Sequence, residues 1–571
     1  MKRKIITSII AIVLVIVAVV CLSKFVFSNE TTYIKDVDSQ KFQEAYDLLA
    51  TAYLNDGEQP ESYYTDFIKA NTEIGEGKYE SEVKEGVAAD KYYEANKDDE
   101  NAPEAVTDYD FKMKELDYQS KAEYKVTVDK AGLYYLALDY ISVGNSLSDY
   151  TVSIMVNDKQ DYTEMNTIAL PMIWTDTEEG YISSDADKKF PLDSYGDEMA
   201  PSQNRVQKWK NIYLYNNTYT SNTPLAFNLK QGENTIVIEN VSSGGLALGK
   251  LTAEAAVDNT ISYEEYAGQH KDAELVKEDE NALQIDAVYY TEKNSTDAIY
   301  GTAAKSSLTR FNIDNEKLNT LKWGAAGNEV TYSFNVKKTG NYNIAFHYNN
   351  NKKEFTSFET VKIDGEVPFK ELYNYKFPAV SSGYANLTLA DEKGNNYNFY
   401  LTEGTHTITI KQENSPVMEA YRYALLMEQH ITDFELEITK ITGADVDSER
   451  NWKMTKYIPE IESYLDAYMT VIHHIRFMLQ DYSDNGNSGA ILAYMDEAEQ
   501  FIQEMQKYPD DIALHTKDLT GADNSVLVSL SSFTTEVTSN EFTLDRIYIY
   551  GDDDVICLLY TSPSPRDGAT S

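Results

Sequence analysis

AEYKVTVDKAGLYYLALDY, from Ala122 to Tyr140, returns later in the chain as VTYSFNVKKTGNYNIAFHY, from Val330 to Tyr348. The two stretches pair Tyr124 with Tyr332, Gly132 with Gly340, Tyr134 with Tyr342 and Tyr140 with Tyr348. Tyr124, Val126 and Val128 alternate with polar residues, as do Tyr332, Phe334 and Val336. Successive strand residues point to opposite faces, so each set forms one apolar face. The glycine that follows gives the backbone freedom for a tight return into a second strand.

The correspondence continues in the same order. SIMVND (Ser153 to Asp158) matches VKIDGE (Val361 to Glu366), each a strand running into an Asn-Asp or Asp-Gly turn. LKQGENTIVIEN (Leu229 to Asn240) matches LTEGTHTITIKQ (Leu401 to Gln412), a glycine turn feeding an alternating strand. A closing strand is expected in each copy, GLALGKLTAEA (Gly245 to Ala255) in the first and FELEITKI (Phe434 to Ile441) in the second. The order predicts a mainly β protein with two tandem antiparallel β-sandwiches, at 29–257 and 258–443.

From Trp452 the period changes. Ile461, Leu465, Tyr468, Ile472, Ile475 and Leu479 recur at steps of three and four, as do Ile491, Met495, Ala498, Ile502 and Met505. DYSDNGNSG (Asp481 to Gly489) reads as the turn between them, and Pro509 as the stop. Residues 444–510 are therefore expected to form an antiparallel helical hairpin. Alternation resumes in SVLVSLSSF (Ser525 to Phe533) and FTLDRIYIY (Phe542 to Tyr550), predicting a β-strand pair within 511–556; a C-terminal domain missing from this sequence is expected to follow it, because the residues after Ile556 read as foreign to the protein.

The two ends read differently from the body. Lys2, Arg3 and Lys4 precede an uncharged apolar run from Ile5 to Ser23, long enough to span a bilayer core with its positive end inside. Residues 1–28 are expected to be a transmembrane signal anchor, or a signal peptide cut after Ser28, which places the body outside a cell membrane crossed once. At the other end, CLLYTSPSPRD from Cys557 back-translates into a string resembling a transposon-end sequencing adapter. Residues 557–571 are accordingly taken as an artefact.

Composition narrows the chemistry. Lys+Arg 50 against Asp+Glu 93 gives a net charge of −43, which repels nucleic acid and anionic headgroups. The two cysteines are Cys21, in the apolar run, and Cys557, in the tail, so the body can form neither an internal disulfide nor a cysteine zinc site. Such a body fits an exported protein of a Gram-positive bacterium. The seven histidines are scattered, and adjacent His473 and His474 diverge by about 100° on a helix rather than forming an i,i+4 metal pair. GGLALGK (Gly244 to Lys250) has nearly the phosphate-loop spacing, but Leu251 stands where Ser or Thr should bind magnesium. DYSDNGNSGAIL places Leu492 where a calcium loop needs its bidentate glutamate. A structural calcium held elsewhere has no identifying spacing, and no catalytic residue, metal ligand or cofactor site is assigned.

Binding is what remains. Sugar rings offer C–H faces and hydroxyl edges, so their sites need an aromatic platform flanked by amides or carboxylates. Trp209, Tyr213 and Tyr215 in the first sandwich and Trp323, Tyr373 and Tyr375 in the second are the candidate carbohydrate platforms, with Asn216, Asn217 and Asn374 beside them. One-sided stacking is worth about 1 kcal/mol per aromatic contact beyond area burial. Association costs several times that. Millimolar or weaker affinity is expected from these modules alone.

APSQNRVQKW (Ala200 to Trp209), TSNTPLAFNLKQGENTIVIENV (Thr220 to Val241), YEEYAGQHKDAE (Tyr263 to Glu274), IDGEVPFKELYNYKFP (Ile363 to Pro378) and NFYLTEGTHTITI (Asn398 to Ile410) carry a wider resemblance. The sandwiches look like galactose-binding-like, carbohydrate-module jelly rolls. More narrowly, these stretches resemble the N-terminal region of large Gram-positive extracellular solute-binding proteins of carbohydrate ABC transporters, with Ala200 departing from the arginine expected there. The resemblance implies a carbohydrate ligand and an ABC transporter permease as partner; membrane attachment through the N-terminal helix is expected from the apolar run, and no enzymatic activity is expected where no catalytic spacing is found. Two rival readings are a surface adhesin or cell-wall scaffold, and accessory modules of a truncated polysaccharide-active enzyme. The reading of the tail has a direct check. Genomic DNA amplified across the Ile556 codon is expected to continue in frame into a different sequence, and a genomic copy encoding CLLYTSPSPRD refutes it.

Overall fold

The computed structural model describes residues 33–55, 59–98, 103–176, 190–277, 282–301, 318–443, 445–484, 486–487 and 489–551. The expected anchor at 1–28 and the tail at 557–571 lie outside them. Among the described residues no helix is long and apolar enough to cross a membrane. The chain forms two units. One takes Leu54–Lys352, Thr356–Arg422 and the chain from Thr535 on; the other takes the chain up to Tyr53, Lys353–Phe355 and Tyr423–Thr534.

The first unit contains two antiparallel β-sandwiches, as the repeat predicts. In the first sandwich the long strand Gly132–Ser142 pairs with Leu246–Ala255, Lys210–Tyr213 and Ala226–Leu229. The facing sheet runs Tyr215–Asn216, Ile168–Leu170, Tyr150–Val156, Gly232–Asn240 and Lys121–Val128. Tyr124, Val126 and Val128 from one sheet and Tyr134, Leu136 and Leu138 from the other enter one core. The second sandwich repeats the strand registers of this plan. Leu229 opposes Gly132 in the first copy, and Leu401 opposes Gly340 in the second. Tyr64 of the helix Tyr64–Ala70 accepts a hydrogen bond from Ala226 N at 3.1 Å, and Tyr263 of the helix Tyr263–Gln269 accepts one from Asn398 N at 2.9 Å.

The copies differ in how they close. In the first, Leu246–Ala255 follows its predecessor Gly232–Asn240 through a short turn. The corresponding strand of the second is Phe542–Tyr550, which pairs with Gly340–Asn350, Thr320–Trp323 and Leu283–Asp286. FTLDRIYIY is thus a strand, as expected, but it completes the second sandwich rather than following the hairpin as half of a separate strand pair. FELEITKI does not close that sandwich; it lies in the helix Ser415–Thr442. There Ile431, Phe434 and Ile438 are buried at helical spacing and Leu436 is exposed, so the apparent alternation is a coincidence of a 3.6-residue period. SVLVSLSSF is corrected for the same reason. Val526, Leu530, Phe533 and Val537 are buried at steps of four and three along the helix Val526–Thr538, and Ser525 Oγ accepts from Val528 N at 3.2 Å at its start.

A polar clasp marks where the chain leaves and rejoins the second sandwich. Asn540 Nδ2 donates to Asn414 Oδ1 at 2.7 Å, and Asn414 Nδ2 donates to Thr538 O at 2.9 Å. Lys352 Nζ donates to Val537 O at 2.7 Å and to Asn540 Oδ1 at 2.8 Å.

The other unit is helical and larger than a hairpin. The predicted helices are Ile461–Leu479 and Ala493–Lys507, and their repeated apolar residues are buried. Ser39–Thr51, assigned from sequence to the first sandwich, belongs instead to this unit and packs on Ile461–Leu479. Phe42 lies 4.0 Å from His474 and 5.0 Å from Tyr423, measured between ring centroids, and Tyr53 Oη donates to Glu437 Oε2 at 2.8 Å. Arg476 ties the hairpin together through Glu499 at 2.6 Å and Asp496 at 2.8 Å.

Burial lowers the Lys352 ammonium to about 7. Between that value and the ordinary lysine range the unfolded chain holds a proton that the folded one has released, so this group adds stability as pH rises. Thermal melts are expected to show wild type gaining on Lys352→Met from pH 7 to pH 9, and a constant difference between them overturns this.

Candidate functional site

The structure uses most of the predicted platforms to hold itself together. Trp323 is 1 % exposed in the core of the second sandwich, its centroid 5.0 Å from that of Phe542. It occupies the place of Leu116 in the first copy, since Leu116 opposes Leu246 as Trp323 opposes Phe542. No ring face is left for a ligand. Trp209 stacks on Tyr109 at 3.8 Å and 16°, and its Nε1 donates to Val106 O at 3.3 Å. Tyr375 packs against the second core, donates to Ala390 O at 3.1 Å and accepts from Ala390 N at 2.9 Å. Tyr373 Oη meets Thr260 Oγ1 at 3.2 Å. Tyr213 is the open one, 39 % exposed; burial of its hydroxyl, then its 2.9 Å bond to Glu254, pushes it up to about 12.

Tyr215 has a different task. A hairpin of the first sandwich, Ile173–Asp176 with Gln203–Val206, extends a sheet of the second by pairing Trp174 with Lys293. Tyr290 donates to Asp176 Oδ1 at 2.6 Å, and Tyr300 to Asp176 Oδ2. Along this seam Tyr215 and Tyr219 sit 4.7 Å and 4.9 Å from Lys411 Nζ. Lys411 in turn pairs with Glu413 at 3.0 Å. A Cβ on Gly327 would come within 1.9 Å of the Tyr219 ring, so only glycine admits that ring. Burial alone would raise the Glu329 carboxyl, but Lys362, 2.6 Å away, and Lys411 hold it below its ordinary value. Asn216 is buried in the turn before Tyr219, and Asn374 Oδ1 accepts from Ser415 Oγ at 3.0 Å. The outer sheet face carrying Glu329, Lys362 and Lys411 is therefore covered by the first sandwich.

The remaining motifs also have structural tasks. GGLALGK enters the closing strand Leu246–Ala255, and a Cβ on Gly249 would strike Tyr109 Oη at 2.2 Å. His474 Nδ1 lies 2.7 Å from Asp36 Oδ1. Among the described residues no group of three or more His, Cys, Asp or Glu side chains is placed to hold a metal ion.

Among the described residues, what stays open is a surface that none of the aromatic platforms expected from the sequence includes. Two adjoining grooves on the second sandwich meet at Leu275. One, of about 500 Å³, is lined by His270, Leu275, Lys338 and Tyr400; the other, of about 510 Å³, by Leu275, Lys277, Asn343, Asn395, Asn396 and Asn398. His270 stacks on Tyr400 at 4.4 Å and 12°. Asn398 Nδ2 donates to Asn343 Oδ1 at 2.9 Å, and Asn343 Nδ2 donates to Gly551 O at 2.9 Å.

Residues 419–537 match the family model of the bacterial solute-binding protein 4-helix bundle domain. Solved structures similar to part of the chain include the C-terminal CBM6 of LamC, a marine laminarinase from Zobellia galactanivorans, at 14% identity over 23% of this chain and 89% of that one, TM-score 0.17. The CBM36-1 domain of a multidomain xylanase from the hindgut metagenome of Trinervitermes trinervoides is 16% identical over 23% of this chain and 84% of its own, TM-score 0.16. An Arthrobacter globiformis T6 isomalto-dextranase complexed with panose is 9% identical over 52% of this chain, which spans 33% of that one, TM-score 0.18. No curated protein sequence matches. The two sandwiches are defined by their own strand ladders.

The assignment of Trp323 to the core is testable. Trp323→Ala is expected to cost about 3–5 kcal/mol, and Tyr213→Ala no more than about 0.5 kcal/mol, read from urea unfolding midpoints. Equal, small effects overturn it.

Proposed function

We propose that this chain is the extracellular, membrane-tethered substrate-binding component of a carbohydrate ABC transporter, and that it performs no catalysis of its own. The observation that carries this reading is the match of residues 419–537 to the 4-helix bundle domain of bacterial solute-binding proteins. Those residues form the bulk of the helical unit, so the match falls on a folded body rather than on scattered motifs. The net charge of −43 agrees with it, because it disfavours nucleic-acid and anionic membrane partners and suits an exported soluble body. So does a body without cysteine, which needs no oxidative folding outside the cell. In this reading the N-terminal apolar run tethers the protein, the permease is its membrane partner, and the sandwiches bind carbohydrate or dock against it.

Disruption of the gene in its host is expected to abolish uptake of at least one labelled oligosaccharide while leaving amino-acid uptake unchanged. Unaltered uptake across a panel of oligosaccharides overturns the reading.

A further inference from the structure

The two sandwiches share one plan, and a group of the second copy's departures from it falls together in space. Through the common strand registers, Leu133, Tyr135, Ala226 and Asn228 of the first correspond to Asn341, Asn343, Asn398 and Tyr400 of the second. Leu133 and Ala226 are buried apolar side chains, so the fold is satisfied without amides at their positions. An amide taken from water costs free energy unless each of its polar atoms finds a partner. Yet the second copy buries Asn343 to 2 % exposure, and among the described residues Asn341 Oδ1 is buried with no hydrogen bond. A cost that the sandwich does not require points to another use.

The backbone beneath these residues is held from below. Tyr263 and Tyr266, from the motif YEEYAGQHKDAE, accept hydrogen bonds from Asn398 N at 2.9 Å and Tyr400 N at 3.0 Å. Tyr263 and Tyr266 also pack on Phe369, 4.9 Å and 5.2 Å between centroids, which anchors the helix to the core. The same motif continues into His270, which stacks on Tyr400. Two stretches singled out in the sequence, YEEYAGQHKDAE and NFYLTEGTHTITI, therefore converge on the pair of grooves.

We infer that this groove binds a neutral sugar unit of an oligosaccharide. The stacked His270–Tyr400 pair supplies a π surface for the C–H face of a ring, and the amides of Asn395 and Asn398 lie along the adjoining wall for its hydroxyls. Asp272, Glu274 and Lys338 line one groove and Lys277 the other, two charges of each sign, so the lining favours neither an anion nor a cation. The carbohydrate class rests on the function proposed above; the location rests on the comparison of the two copies.

The test is saturation-transfer difference NMR on the full chain with neutral gluco-, xylo-, manno- and galacto-oligosaccharides at millimolar concentration, beside uronic-acid oligomers. At least one neutral oligosaccharide is expected to give signal. Asn398→Ala and His270→Ala are each expected to weaken it about tenfold, the scale of one lost hydrogen bond or stacking contact. Asn395→Ala, at an exposed position, gives the same comparison if either of the others fails to fold. Asn228→Ala in the first sandwich is expected to leave binding intact. Signal that survives all the groove variants overturns the site while leaving the carbohydrate reading standing. Signal from uronic-acid oligomers alone overturns the neutral class. No signal from any oligosaccharide overturns the inference, and the uptake experiment then decides separately on the transporter reading.

Discussion

The pairing of Phe542–Tyr550 with Gly340–Asn350 is the constraint on which the second sandwich depends. The strand lies inside its sheet, with Thr320–Trp323 on its other side, and Phe542, Leu544, Ile547 and Ile549 point into the core. Until it arrives, that core is open. The chain must leave the sandwich after Glu413 and come back at Phe542, so the segment between has to fold with its two ends side by side. Loop-closure entropy grows only logarithmically with length, which is why so long an excursion is tolerable. The Asn414–Asn540 bond and the Lys352 contacts hold those ends together in a region where an unpaired polar group would be expensive.

The duplicated plan shows what a sandwich of this kind needs and what it leaves free. Both copies keep the tyrosine that receives the backbone N–H of the short strand, Tyr64 and Tyr263, and the glycine at the head of the long one, Gly132 and Gly340. They differ where one copy meets the other. The first sandwich spends Tyr215, Tyr219 and the Ile173–Asp176 hairpin on the seam, and the second receives them on Lys411, Gly327 and Lys293. Aromatics that look like ligand platforms in a linear reading are consumed there, because a tyrosine serves equally for stacking on a sugar and for covering a lysine stem.

The candidate platforms illustrate how far composition and spacing reach. That Trp323 takes the place of Leu116 is recoverable only when the strand opposite it is known, and that strand comes from the far end of the chain. The amides of Asn341 and Asn343 were legible in principle. Aligned copies put Asn341 against Leu133 and Asn343 against Tyr135, a change of chemistry at positions whose backbone is conserved between the copies. Asn398 and Tyr400 join them only through the sheet register, which the linear order of the chain does not display.

By itself the sequence determined the local periods and the repeat: alternation with a glycine return makes strands, three- and four-residue steps make helices, and the same order written twice makes two sandwiches. It also determined that the body has no disulfide and carries a large negative charge. Tertiary structure alone decided which strand closes the second sandwich, that SVLVSLSSF and FELEITKI are helical, and which aromatics remain open. The reason is physical. Period and turn chemistry act between near neighbours, whereas the choice among strands of similar pattern is made by partners distant in sequence, through the burial that each pairing allows. A short apolar run such as SVLVSLSSF satisfies either period, and only the core it meets selects one.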